Sequence, residues 1–406
     1  MLCRICDHSI QPFMTFGKMP VANGFLLPAQ FEKEYHFELS PAFCSQCSTF
    51  QITEQPEADR MFHDHYAFFS RTSNAMLKHF QQYATWVKTS YLPTSNPFVV
   101  EIGSNDGIMM ENFAKWNIRH LGIEPSANVA AAATEHGVNC IVNYFTKDTA
   151  KKIVAKYGHA DAILAANVIC HIPNLKEVAE AIAILLKPTG VFIFEEPYLG
   201  EMINKTAYDQ IYDEHVYIFS AISVSNIFNI FGLELIDTLA QVTHGGSMRY
   251  VLGRKGQHTI SPNGAKQMAL EKQQQLDQPA TYEKFKQNCE ISKKTLRELL
   301  IKEKKAGRRV VGYGATSKST TILNYADIGP DLIEFISDTT PTKINKFTPG
   351  MHIPVKHYAE FSENLPDTAV LFAWNHKDEI MAKEVSFKEK KGKWIVHVPN
   401  VMELCE

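Results

Sequence analysis

The sequence predicts an α/β fold in three parts: a small N-terminal metal-binding module, a Rossmann-like α/β domain and a C-terminal Rossmann-like α/β domain. Three observations carry this expectation. Four cysteines stand as two CxxC pairs, Cys3/Cys6 and Cys44/Cys47. The apolar run FVV opens into a glycine-rich turn at Glu101–Gly107, and apolar strands then alternate with amphipathic helical stretches. Such alternation belongs to a parallel sheet covered by helices. A second strand, glycine turn and helix follow in RVVGYGATSKSTTILNYADI.

In chain order, residues 1–65 are turn-rich and carry the cysteine pairs. A helix is expected from Arg71 to Tyr91. Strands are expected at 121–125 (LGIEP), 162–168 (AILAANV) and 191–197 (VFIFEEP), with helices at 126–136 and 174–187, so that 66–260 forms the first α/β domain. Residues 261–306, rich in Gln, Lys and Glu, read as a connector of long helices interrupted at Pro279. The last domain, 307–406, adds strands at 334–338, 369–374 and 394–399. The two glycine-rich units suggest two Rossmann-like halves.

Composition narrows the function. The 406 residues are 45% hydrophobic and 21% charged, ordinary for a folded soluble protein. No run reaches the ~18 apolar residues of a membrane span. The start, MLCRICDHSI, lacks the apolar core of a secretory leader, so a cytoplasmic location is expected. A net charge of −3, with no dominant Lys/Arg block, argues against a partner held by phosphate neutralisation, hence against nucleic acid. Nothing in the sequence fixes the oligomeric state.

CRIC and CSQC are knuckle-type turns, each pointing two thiolates at one ion. Cys3, Cys6, Cys44 and Cys47 together complete a tetrahedral shell for one zinc ion. Four protein ligands leave no open position, so the zinc is expected to be structural. The long stretch between Cys6 and Cys44 must return as an extended loop.

In Glu101-Ile-Gly-Ser-Asn-Asp-Gly107, Gly103 allows a tight turn and Gly107 a close approach of ligand or helix. Glu124 ends the next strand, where an acid that binds ribose hydroxyls belongs. This ExGxxxG turn, followed by an acid, differs from the GxGxxG that seats a pyrophosphate. It suits S-adenosylmethionine (SAM), which has no phosphate. Glu101, Gly103, Asn105, Gly107, Glu124 and, near the end of a later strand, Asn167 are the expected cofactor contacts.

Three further segments carry chemistry. Tyr66 lies in HDHYAFFSRTS, His171 in ANVICHIPNL just past a strand, and Tyr212, Glu214 and His215 in YDQIYDEHVYIFS. Were YDEH helical, Tyr212 and His215 would be i,i+3 neighbours. Methylating carbon needs a carbanion, and an enolate beside a ketone is the usual one. Histidine has the pKa of a suitable base, and a tyrosine or second histidine can donate to the enolate oxygen. Glu214 can orient an imidazole or bind a sugar hydroxyl.

The chain resembles the zinc-containing, SAM-dependent nucleotide-sugar C-methyltransferases of deoxysugar pathways. The four-cysteine module, EIGSNDG, NVICHIPNL, IYDEHVYIFS, THGGSMRY, VVGYGATSKSTTILNY and FTPGMHIPV look like family segments in family order, over nearly the whole length. The resemblance implies transfer to a sugar carbon, typically C3, next to a 4-keto group, on a TDP- or GDP-type substrate. It makes His215 the base, and Tyr66, His171, Tyr212 and Glu214 the active-site wall. Asp213 stands where relatives often have His, so substrate contacts differ there. The resemblance also gives Gly312–Lys318 to the nucleotide-sugar side, where a helix N-terminus and Lys318 suit a diphosphate. Ser319 replaces a glycine of relatives in that stretch. Arg249, in HGGSMR, is a second candidate substrate contact.

Four other readings stay open. A sugar O- or N-methyltransferase would use the same residues. A zinc-ribbon RNA methyltransferase is opposed by the acidic charge. A non-catalytic nucleotide-sugar binding protein would bind SAM weakly. An NAD-dependent oxidoreductase would use the second glycine turn with Asp338.

Overall fold

In a computed structural model of the chain, residues 1–57, 71 and 74–404 are described; Tyr66 lies outside them. The N-terminal module contains an antiparallel pair, β1 (Lys18–Pro20) and β2 (His36–Glu38), and a hairpin, β3 (Pro41–Cys44) and β4 (Thr49–Ile52), whose turn is the second CxxC.

The central sheet draws on β5 (Phe98–Ile102), β6 (Arg119–Glu124), β7 (Cys140–Val142), β8 (Ala160–Ala166), β9 (Leu186–Pro197), β11 (Leu233–Gln241) and β12 (Ser247–Arg254); β10 (Tyr217–Ile218) lies elsewhere. Its order is β11-β12-β9-β8-β5-β6-β7. β5 to β9 pair in parallel, and β12 is antiparallel to both neighbours. All five residues of β5 are buried, as a strand covered on both faces requires. One face packs Val99, Leu164, Ile193 and Val251 against Phe80, Tyr83 and Val87 of the helix Asn74–Tyr91. The other packs Val100, Ile163, Phe192 and Phe194 against Val178, Ile182 and Phe228. Each large apolar side chain so buried contributes about 1.5–3 kcal/mol.

The C-terminal sheet has β13 (Val310–Tyr313), β14 (Ile336–Asp338), β15 (Val355–His357), β16 (Thr368–Leu371), β17 (Lys393–Val396) and β18 (Met402–Leu404), in the order β15-β14-β13-β16-β17-β18. Only β18 is antiparallel within it. Strand order reverses at β5 and at β13, and open α/β sheets place ligands outside the carboxyl ends of strands at such reversals. Among the described residues no helix is long and apolar enough to cross a membrane.

Several expected elements change. Pro279 does not interrupt a helix but begins one: Pro262–Gln273 ends beside Gln275 in a left-handed conformation (φ 57°), and Pro279 opens Pro279–Lys305. Proline tolerates the first helical position because that N–H needs no partner. The YDEH segment is a turn rather than a helix, with the His215 N–H donating to the Tyr212 carbonyl at 3.0 Å. β10 and β18 were not expected. β16 stops at Leu371, so Trp374 belongs to the following 3₁₀ turn, Trp374–His376.

Candidate active site

The two knuckles share one backbone device. The residue after each second cysteine, Asp7 and Ser48, has φ 57°, which folds the chain back so that both thiols of a pair face one point. The four thiols lie within 4.8 Å of one another, with Cys3 and Cys47 sulfurs 3.6 Å apart and Cys6 and Cys44 sulfurs 3.5 Å apart. Tetrahedral zinc with ~2.3 Å bonds needs sulfur edges of about 3.8 Å, so the residues fit the ion. As bare thiols they conflict. The Cys47 thiol holds Cys3 down to about 4, while burial pushes Cys44 up to about 11. Four thiolates this close need a cation.

The extended loop between the pairs does more than return. Ala22 N–H donates to Asp213 Oδ1 (2.8 Å), and Asn23 Nδ2 to Glu214 Oε1 (2.7 Å). Farther on, Glu34 accepts from Gly350 N–H and meets His352 Nε2, both at 2.8 Å. The loop thereby reaches both α/β domains.

At the first reversal point the turn after β5 is built as its glycines foretell. Gly103 and Gly107 have φ of 65° and 74°. A Cβ on Gly103 would stand 2.6 Å from Val168, and one on Gly107 2.9 Å from Val138 and 3.0 Å from Ala133. Gly107 therefore serves helix packing. Asn105 and Asn167 are left-handed too (φ 48° and 54°). Glu124 accepts from Asn105 N–H (3.0 Å) and Ser126 N–H (2.9 Å), which fixes its carboxylate beside the turn. Glu101 is buried, and its pKa is driven well up by that burial and by Asp106 and Glu124. Glu101 Oε2, Asp106 Oδ1 and Asn167 Oδ1 are buried without hydrogen-bond partners among the described residues. Buried acids with spare acceptors fit a ligand carrying an amine, a sulfonium and ribose hydroxyls, so the residues fit SAM. Asp106 was not singled out from the sequence although it stands inside the motif; Arg71 N–H anchors its other oxygen at 2.9 Å.

His171 follows β8 in the 3₁₀ turn Ile169–His171, whose Val168, Ile169 and Cys170 N–H groups all donate to Glu196 Oε1 (2.7–3.3 Å). His215 stacks near it, ring centroids 5.4 Å apart. His215 Nδ1 lies 2.7 Å from the Gln210 carbonyl and must be the protonated nitrogen, leaving a lone pair on Nε2. Tyr212 Oη is 2.9 Å from that Nε2. Burial lowers the pKa of His171 to about 4 and that of His215 well below the ordinary histidine value. Both rings are therefore neutral at neutral pH. Beside them, burial and Glu214 push Asp213 up to about 7. Burial also raises Glu214, against the Asn23 hydrogen bond.

The second domain closes over this turn. Lys318 sits at the start of the helix Ser317–Tyr325, its Nζ 5.3 Å over the Trp374 ring, with desolvation lowering its pKa against the pull of Asp209. Trp374 Nε1 donates to Asp209 Oδ2 at 2.6 Å, and His397 Nε2 meets the same oxygen at 3.3 Å. His244, left-handed at φ 54°, accepts a hydrogen bond from Gln210 on its carbonyl. Asp209 Oδ1, Gln210 Oε1, Asp213 Oδ2 and His244 Nε2 are buried without partners among the described residues. Of these, the sequence drew attention only to Asp213; Asp209 and Gln210 lie in the 3₁₀ turn Tyr208–Gln210 just before it, and only His244, in the turn after β11, comes from farther along the chain.

One expected contact is corrected. Arg249 does not offer its guanidinium to a substrate. It lies opposite Glu195 in the β12–β9 register and pairs with it at 2.7 Å, 5% exposed, with its guanidinium 3.6 Å from the centre of the Tyr83 ring. His79 Nε2 (2.7 Å) and Thr243 Oγ1 (3.1 Å) meet the other oxygen of Glu195, so Arg249 belongs to a buried charge network.

Three family profiles match in series: "Putative zinc binding domain" over residues 3–62, "Methyltransferase domain" over 62–238 and "C-methyltransferase C-terminal domain" over 242–399. The C-methyltransferase NovU of Streptomyces niveus is 31% identical over 402 residues, which is 98% of this chain and 95% of NovU. The chain belongs to this C-methyltransferase family. This C-methyltransferase is an enzyme that uses SAM, and its first domain is the zinc-binding one. A ubiquinone biosynthesis O-methyltransferase of Rhodopseudomonas palustris (strain BisA53) is 27% identical over 95 residues, 23% of this chain and 38% of that one. Among solved structures, the magnesium protoporphyrin IX methyltransferase ChlM of Synechocystis PCC 6803 with bound SAM is 14% identical, covering 44% of this chain and 79% of its own, at a TM-score of 0.33.

Proposed function

We propose that this C-methyltransferase methylates C3 of a nucleoside-diphosphate 4-keto-deoxysugar, of TDP or GDP type, through an enolate. The observation that carries the reading is the meeting of the neutral His215–Tyr212 pair with a group of buried, partnerless polar atoms between the two α/β domains. A base beside polar atoms that await partners suits a hydroxylated, carbonyl-bearing substrate.

In this reading the substrate's sugar lies against the 209–215 segment. Asp209 Oδ1, Gln210 Oε1, Asp213 Oδ2 and His244 Nε2 take its hydroxyl groups. Lys318 and the N–H groups opening Ser317–Tyr325 take the diphosphate, since a helix N-terminus and a cation both favour negative charge. The Gln210 carbonyl holds His215 in the tautomer whose Nε2 can accept the C3 proton. Tyr212 Oη or His171 donates to the developing enolate oxygen, a role also open to Tyr66. Glu214 sets the turn through Asn23. Glu101, Asn105, Asp106, Glu124 and Asn167 hold the cofactor. SAM, when bound, supplies an electrophilic methyl group. The closed domains exclude water, and placing both reactants in one cleft supplies much of the rate.

The test is to incubate the enzyme with SAM and a panel of TDP- and GDP-linked 4-keto-6-deoxysugars in deuterated water, then apply mass spectrometry and NMR. A new C-methyl signal at C3, and deuterium entry at C3 without SAM, are the expected results. An O-methyl product, or C-methylation elsewhere, would defeat the reading.

A further inference from the structure

We propose that the catalytic cleft holds a second metal site, in which the Cys170 thiolate and one ring nitrogen each of His171 and His215 bind a borderline-soft divalent cation such as zinc, and that this ion inhibits the enzyme by occupying the nitrogen that takes the substrate's proton. The three ligand atoms lie within 4.8 Å of one another. A tetrahedral ion with bonds of about 2.0–2.3 Å needs edges of roughly 3.3–3.8 Å, so side-chain shifts of about 1 Å, with Tyr212 Oη giving up its 2.9 Å contact to His215 Nε2, complete the site. Two imidazoles and a thiolate select zinc or a similar ion over magnesium or calcium, which take oxygen ligands.

The surroundings are those of a metal site. His215 Nδ1 sits on the Gln210 carbonyl at 2.7 Å, the outer contact that fixes the other nitrogen of a ligating histidine toward the ion. Glu196, fully buried, gathers the Val168, Ile169 and Cys170 N–H groups on Oε1, while its Oε2 has no hydrogen-bond partner among the described residues. That carboxylate holds the whole ligand turn and offers a destination for the proton. On binding, the S–H bond of Cys170 breaks, its proton passes to Glu196, and the sulfur lone pair bonds the metal. Burial keeps both rings neutral, the form in which imidazole ligates. Three protein ligands leave a fourth position open. This site is therefore weaker than the closed four-thiolate site, and it fills second. Cys170 takes no part in the proposed proton transfer, so its replacement separates metal binding from chemistry.

The inhibitory half rests on the reading of His215 as the base; the ion count does not. The experiment dialyses the zinc-loaded enzyme against rising Zn²⁺, measures metal per chain by mass spectrometry and turnover in parallel, and repeats both with Cys170→Ser and Cys170→Ala. Co²⁺ serves as a second probe, through its thiolate charge-transfer band. A second ion is expected in the natural enzyme, with turnover falling at least about ten-fold as it fills and recovering with a mild chelator. Both variants should hold one ion, lack the added cobalt band and keep their turnover at the same Zn²⁺. No second ion in the natural enzyme, or a second ion in both variants, overturns the site. A second ion lost in the variants but without effect on turnover overturns the inhibition and removes His215 as the base, while leaving the metal site intact.

Discussion

A buried histidine works as a base at neutral pH only while it stays unprotonated, and desolvation holds His215 in that state. As pH falls through the ordinary histidine value of about 6.5, an exposed imidazole would charge, whereas His215 does not. The His215 limb of kcat/KM should therefore lie below about 6.5; a limb near 7 would mark Asp213, whose carboxyl is pushed up to about 7, instead. His215→Ala and His215→Asn should each lower turnover about 10²–10⁴-fold with SAM affinity unchanged. Near-normal turnover in either removes His215 as the base. At this scale the sequence is readable where chemistry is local. The cysteines announce their ion because two side chains in one turn suffice, and the Tyr212/His215 pair survives the change from helix to turn because both conformations bring residues three apart together. Arg249 was misread for the opposite reason: its partner Glu195 sits on another strand, and cross-strand register is not written in either segment alone. Glu196 went unnoticed likewise, since its three N–H donors come from the turn after β8.

The glycine turn after β5 makes an element-scale prediction. Gly107→Ala combines φ 74° with contacts at 2.9 and 3.0 Å, so it should cost about 1–3 kcal/mol and shift the helix Ala127–Glu135. Lower Tm and weaker SAM binding, read by calorimetry, are the expected outcome; an unchanged Tm would show that the turn relaxes freely. The second domain repeats the arrangement. Asp338, ending β14, accepts the Ala315 N–H at 2.7 Å much as Glu124, ending β6, accepts that of Asn105. The alternation of strands and helices in the sequence anticipates this pairing of acid and turn. β10 was invisible by comparison, because two residues carry no periodicity.

Across the whole molecule, substrate binding should divide between the domains. Lys318→Ala is expected to raise KM for the nucleotide sugar about ten-fold or more, with little change in SAM affinity; steady-state kinetics and calorimetry check this, and an unchanged KM would place the diphosphate elsewhere. Zinc removal should act at a distance. Stripping the ion with a strong chelator should abolish turnover while SAM still binds, and turnover unaffected by complete stripping would show the module to be separable.

The reason lies in β10. That strand starts two residues after His215 and pairs with β4, which starts two residues after Cys47, with the Ile52 N–H also reaching the Val216 carbonyl at 2.9 Å. The metal knot and His215 thus each lead directly into one ladder. A disturbance at the four thiols therefore has a backbone route to His215 that bypasses the cofactor turn after β5.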